Sequence, residues 1–187
     1  MDNPRSKRWR SLLAPVAAAL ALAACATATP YQPVGTRGAS GGFSEQRIEQ
    51  NRYRVSFAGN AYTSRQRVEN YLLYRAAELT LANGYDTFTI VRRDTDKDVD
   101  IRTSPGWGSY SPYWRPYWRY YGRPYGWRHW DPWFGDPFWA DRIDLRTVTR
   151  YEATAEIIMS RGPGTGPQSF NARQVIANLR PTIVVPR

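Results

Sequence analysis

Arg52-Tyr53-Arg54-Val55-Ser56-Phe57-Ala58 alternates strictly, with Tyr53, Val55 and Phe57 on one face and Arg52, Arg54 and Ser56 on the other. Such period-two alternation is the pattern of a strand buried on one face. Gly59-Asn60 ends it, and the pattern then changes period. Thr63 precedes Gln66 by the spacing of a capping box. From Ser64 to Asn83, Val68, Tyr71, Leu72, Ala76 and Leu79 recur at helical spacing. Tyr74, Ala77 and Leu81 widen the apolar surface, so this helix is expected to be covered on more than one face. Gly84 is the expected left-handed residue that closes it.

Working outward, Asp86 to Arg92 reads as a further strand, with Phe88 and Ile90 opposite Thr87, Thr89 and Val91. A long strand or hairpin arm begins at Asp144. It places Leu145, Thr147, Thr149, Tyr151, Ala153, Ala155, Ile157 and Met159 on one face, and Arg146, Arg150, Glu152 and Glu156 on the other. After the loop Gly162-Pro163-Gly164-Thr165-Gly166-Pro167, a short helix from Asn171 to Asn178 presents Val175, Ile176 and Leu179 and is stopped by Pro181. Thr182 to Val185 is expected to add an edge strand. These elements predict an α+β domain, a small antiparallel-dominated sheet with two helices on one face.

The chain has 187 residues and one domain's worth of length, with 26 Lys+Arg, 16 Asp+Glu, a single Cys and a single His. One Cys excludes a disulfide framework, and a mean hydropathy of −0.62 excludes a multi-span membrane protein. The N-terminus explains part of the charge. Arg5, Lys7, Arg8 and Arg10 precede an apolar run from Ser11 to Ala21, the layout of a secretory signal peptide and too short for a transmembrane helix. The run ends in Leu22-Ala23-Ala24-Cys25, which resembles the lipobox of bacterial lipoproteins. That resemblance implies cleavage before Cys25, acylation of Cys25 and attachment to a lipid bilayer. Ala26 follows, not the Asp of an inner-membrane retention signal, so the same resemblance implies attachment to the outer membrane, facing the periplasm. Removing residues 1–24 leaves 22 basic against 15 acidic residues, a net charge of +7. The expected organisation is a signal peptide over 1–24, a lipidated N-terminus and linker over 25–43, and the domain over 44–187.

Tyr31-Gln32-Pro33-Val34-Gly35, Gly41-Gly42-Phe43-Ser44-Glu45, the Arg52–Asn60 stretch, Asn70 to Thr80 and Asn171 to Ile176 are together similar to a family of uncharacterised alphaproteobacterial lipoproteins. The resemblance covers most of the mature chain except an aromatic segment. It implies a lipoprotein with one compact domain, and it carries over no functional residues.

That segment, Trp107 to Trp139, holds seven of the eight Trp together with six Tyr, Arg115, Arg119, Arg123, Arg128 and five Pro. Its frequent proline is expected to exclude a continuous helix and any central strand. It therefore reads as an irregular insertion spanning 102–142. Its aromatic-plus-arginine chemistry suits self-stacking with cation–π pairs, an anionic lipid surface, or the sugar rings of peptidoglycan or polysaccharide. Single-stranded nucleic acid uses the same chemistry, but export removes the protein from it, so no nucleic acid partner is expected. An envelope protein remains a further partner class. The contact candidates are Trp107, Trp114, Arg115, Trp118, Arg119, Trp127, Arg128, Trp130 and Trp133.

No catalytic, metal or cofactor site is expected. Asp94, Asp96, Asp98 and Asp100 alternate like the start of a calcium loop, but Val99 and Pro105 stand where glycine and glutamate belong. His129 has no nucleophile motif beside it. The glycine-rich loop at 162–167 lacks a following lysine. Glu152 and Glu156 read as a solvated strand face. The expectation is a non-enzymatic, lipid-anchored envelope protein, with an envelope-polymer hydrolase as the alternative.

Overall fold

The computed structural model describes residues 27–36, 40–91, 113–122, 126–130 and 148–186. In chain order these form β1 (Gly42–Glu49), β2 (Arg52–Ala58), α1 (Arg65–Ala82), β3 (Thr87–Ile90), β4 (Tyr117–Gly122), β5 (Gly126–Trp130), β6 (Val148–Ser160), β7 (Ser169–Asn171) and α2 (Ala172–Leu179), followed by a 3-10 turn, Arg180–Thr182. The α+β architecture expected from the sequence is the one found.

β6 organises the sheet. Its thirteen residues pair on one side with β2, from Ala58 opposite Glu152 to Arg52 opposite Ile158. On its other side β4 and β3 lie end to end. β4 pairs along the first part of β6, with Trp118 opposite Ala153, and β3 along the last part, with Phe88 opposite Met159. The sheet therefore runs β1-β2-β6-β4-β5 at one end and β1-β2-β6-β3-β7 at the other, with all seven strands antiparallel to their partners.

Alternation sends Val55, Phe57, Ala153, Ala155, Ile157 and Met159, each 0% exposed, beneath α1 and α2. Helix α1 covers them with Val68, Tyr71, Leu72, Leu73, Ala76 and Ala77. Helix α2 adds Ala172, Val175 and Leu179. The C-terminus of α1 closes as a Schellman motif. The Gly84 N–H bonds the Leu81 carbonyl, the Tyr85 N–H bonds that of Thr80, and Gly84 sits at φ 76°. The N-terminus differs by one residue from the expected box. Ser64 is the cap, its hydroxyl accepting from the Arg67 N–H. Thr63 instead turns inward and accepts from the Thr29 N–H at 2.8 Å.

That contact belongs to an arm that the sequence presents as linker. Thr29 and Tyr31 are 1% and 8% exposed. The Tyr31 phenol donates to Glu78, which also accepts from Arg75, while Arg75 forks onto Glu45 of β1 at 2.9 Å. Burial first, then the Glu78 carboxylate, push the Tyr31 phenol well above its ordinary range. The two glycines before Phe43 permit this closeness: a Cβ on Gly41 would stand 2.2 Å from the Ala58 carbonyl oxygen, and one on Gly42 2.5 Å from that of Gln32. At the other terminus the expected edge strand is absent. Pro181 sits in the 3-10 turn, and the tail beyond it is pinned by the Tyr31 N–H to the Val184 carbonyl and by the Val184 N–H to the Tyr71 hydroxyl.

The aromatic segment departs furthest from expectation. Its described part is an ordered hairpin, β4–β5, and β4 is flanked by strands on both sides. Proline does not prevent this because Pro116 and Pro124 fall outside the two strands. Trp114 is 0% exposed and packs edge-on against Phe88 and Phe170, and Trp118 is 2% exposed against Tyr151. These rings belong to the core. Trp114→Ala should therefore cost about 3–5 kcal/mol, the usual penalty for emptying a buried tryptophan site. Trp127→Ala, at a half-exposed ring, should cost under about 1 kcal/mol. Equal, small losses in chemical denaturation would contradict the placement.

Candidate ligand-binding cleft

On the sheet face opposite the helices, a cleft of about 770 Å³ lies at the gap between the end of β3 and the start of β4 along one edge of β6. The Val91 N–H donates to the Glu156 carbonyl at 2.7 Å where β3 ends. Tyr117 stands opposite Thr154 where β4 begins. The walls are the outward residues of the alternating strands: Arg52 and Arg54 from β2, Arg119 from β4, His129 from β5, and Glu152 and Glu156 from β6.

Register makes the electrostatics. Arg54 lies opposite Glu156, and Glu152 lies opposite Arg119, which lies opposite His129. Glu156 accepts from Arg52 Nε at 2.6 Å and from Arg54 Nη2 at 3.4 Å. Glu152 accepts from Arg119 with both oxygens, at 2.8 and 2.7 Å. The glutamate side chains are 16% and 15% exposed, whereas those of Arg54 and Arg119 are 44% and 45% exposed. The reading of Glu152 and Glu156 as a solvated face is thus corrected: the carboxylates lie beneath guanidinium groups that face the cleft. Arg119 also lies over the Trp127 ring at 4.6 Å, and Trp127 meets Tyr121 at 5.6 Å. One guanidinium is held by a carboxylate and an aromatic face together, which fixes its plane and aims its remaining N–H groups.

Of the contact candidates, Arg119 lines the cleft and Trp127 supports it. Arg128 is exposed, and Trp130 pairs through its backbone with Trp118. Trp118 reaches the cleft while belonging to the core, and Trp114 is fully buried, so neither ring is presented to a membrane. Arg115 is half-buried beside them. Cys25, Trp107, Trp133 and the aspartates from Asp94 to Asp100 lie outside the described residues. Among the described residues no group of three or more His, Cys, Asp or Glu is placed to hold a metal ion, and no helix is long and apolar enough to cross a membrane. Sequence reasoning missed Arg52, Arg54 and Tyr117 as site residues, because only the pairing with β6 converts alternate polar positions into one wall.

A second ionisable group sits on the helix side of the sheet. Glu69 of α1 is 5% exposed and its Oε1 has no hydrogen-bond partner. Burial pushes its carboxyl up to about 7, against which Arg65, one turn earlier, acts only in part. The same burial lowers Arg65.

Comparison of the chain with protein-family models, with curated proteins and with solved structures returns no match. The cleft's own geometry is therefore the ground for a functional reading.

The Glu69 environment has a signed consequence. An acid whose folded value is raised from 4.5 to about 7 keeps its proton in the native state while the unfolded chain loses it. Its contribution is thus fully present below pH 4.5 and is lost as pH rises towards 7. Urea denaturation should show Glu69→Gln gaining on the natural protein by about 3 kcal/mol between pH 4.5 and 8. A stability difference independent of pH would contradict the assignment.

Proposed function

We propose that this is a non-enzymatic lipoprotein of the bacterial cell envelope, held to the bilayer through acylated Cys25 and facing the periplasm from the outer membrane. Its cleft binds an envelope glycan. The observation that carries the binding reading is the Arg119 assembly. A guanidinium clamped by Glu152, resting on Trp127 and standing beside Tyr117 and His129, offers fixed hydrogen-bond donors next to aromatic surface. Sugars present that same combination, hydroxyls around the ring edge and apolar C–H faces. The volume suits a short oligosaccharide, since ligand pockets run about 300–1,000 Å³. Peptidoglycan and surface polysaccharide are the glycans at this location, and the lipobox at Leu22-Ala23-Ala24-Cys25 supports the location.

Two measurements test the two halves. Cys25→Ser should accumulate precursor and incorporate no radiolabelled palmitate, whereas unchanged labelling would overturn the anchor. Solubilised peptidoglycan fragments and envelope polysaccharide titrated into the protein should bind, with Arg119→Ala weakening binding at least about tenfold, the usual worth of a charge-assisted hydrogen bond. Equal affinity in the variant, or no binding of either glycan class, would overturn the glycan reading.

A further inference from the structure

We infer that the domain sits directly on the bilayer, with the end of the sheet that carries Gly59, Tyr62, Trp127, Arg128 and Arg150 against an anionic lipid surface. The inference rests on the anchoring of Cys25 proposed above, and deepens it by saying which surface the anchor brings to the membrane.

The first ground is how little chain separates the anchor from the fold. The Thr27 carbonyl accepts from Asn60 Nδ2 at 2.7 Å. Thr29 donates its N–H to Thr63 and its hydroxyl to the Ser40 carbonyl, and that hydroxyl accepts from the Asn60 N–H. The chain is therefore fixed to the Gly59–Ser64 loop from Thr27 onward. Two residues' worth of backbone joins Thr27 to Cys25, a span of at most about 7 Å. An acyl chain on Cys25 cannot leave the domain hanging in solvent. It draws this loop down to the headgroups.

The second ground is what else lies at that end. Strand register settles it without any contact between the loop and the hairpin. Gly59 donates to the Tyr151 carbonyl, Tyr151 is opposite Tyr120, and Tyr120 is opposite Arg128. One row further out, Arg150 is opposite Tyr121 and Tyr121 opposite Trp127. Three strand spacings separate β2 from β5 along such a row, about 14 Å. Tyr121, Trp127 and Arg128 of the hairpin strands and the anchor's point of entry thus share one end of one sheet.

The third ground is the charge. Arg67 of the first turn of α1 stands at this end with the exposed Arg128 and Arg150. The acidic residues described there are Glu69, buried, and Glu152, held under Arg119. Tyr62 is 60% exposed and Trp127 42% exposed, ring types that settle at the headgroup level. The opposite end carries Glu49 and Asp86 among its basic groups. Because the anchor holds the surface in place, the arginines act at high effective concentration and need little affinity of their own.

The test uses the full lipidated protein in vesicles of three parts phosphatidylcholine to one of phosphatidylglycerol, with acylation of Cys25 read by mass spectrometry. Spin labels are placed singly at Ala61→Cys, in the Gly59–Ser64 loop, and at Gln50→Cys, at the far turn between β1 and β2. The Ala61 label should collide with an aqueous nickel relaxant at least threefold less often than the Gln50 label. Equal collision rates would overturn the seating while leaving the anchor intact. If Cys25 carries no acyl group, the anchor reading falls, and the surface is judged by sedimentation with the same vesicles. Binding that salt abolishes and that Arg128→Ser with Arg150→Ser weakens would support the surface, and absence of binding would overturn it.

Discussion

Thirteen residues of β6 form a strand roughly 40 Å long, and its edge groups need partners wherever water is excluded. β2 satisfies one edge, but β3, with four residues, covers only the last part of the other. The remainder is met by the aromatic hairpin, whose strand β4 continues where β3 stops. From this division of one edge between two strands follow the forked sheet, the burial of Trp114 and Trp118 at the seam, and the cleft on the opposite face where β3 ends and β4 begins. The β4–β5 hairpin is thus the piece that completes the sheet, and the cleft is a by-product of how it does so.

The same division explains how a strand face can be both ion-paired and available. Cross-strand pairing sets Glu152 under Arg119 and Glu156 under Arg52 and Arg54. Such pairs, with their guanidinium groups open to solvent, contribute little stability, at most about 1 kcal/mol each. Their consequence is orientation: carboxylates below and guanidinium groups above present a fixed array of donors beside Tyr117 and Trp127. On the reverse face, Arg75 ties Glu45 to Glu78 beside Tyr31, and burial raises the Glu69 carboxyl and lowers the Arg65 guanidinium.

Much of the fold was legible because its strongest elements are locally consistent. The alternation in Arg52–Ala58, the helical period through Leu79 and the Gly84 stop all agree with the tertiary structure that uses them. β1 was not legible. Its inward positions include Glu45 and Arg47, and Glu45 is accommodated by Arg75 reaching across from α1, a partner thirty residues away that no local pattern reveals. The N-terminal arm was missed for a similar reason. Thr29 and Gln32 are polar, and only their packing beside the glycine pair shows them to be interior. In the aromatic segment, proline frequency masked two short strands that fit between the prolines. At the site, Arg119 was visible as part of that segment, whereas Arg52, Arg54, Glu152 and Glu156 acquire a role only through register with β6.

Amide hydrogen exchange across the sheet tests the central claim, that the aromatic hairpin is an integral strand pair. If β4 completes the edge of β6, the amides of Tyr117–Gly122 that face β6 exchange within about tenfold of those of Arg52–Ala58 that face it from the other side, since both open with the same cooperative unit. Exchange of the β4 amides at the rate of an unstructured peptide, with β2 still protected, would contradict the account.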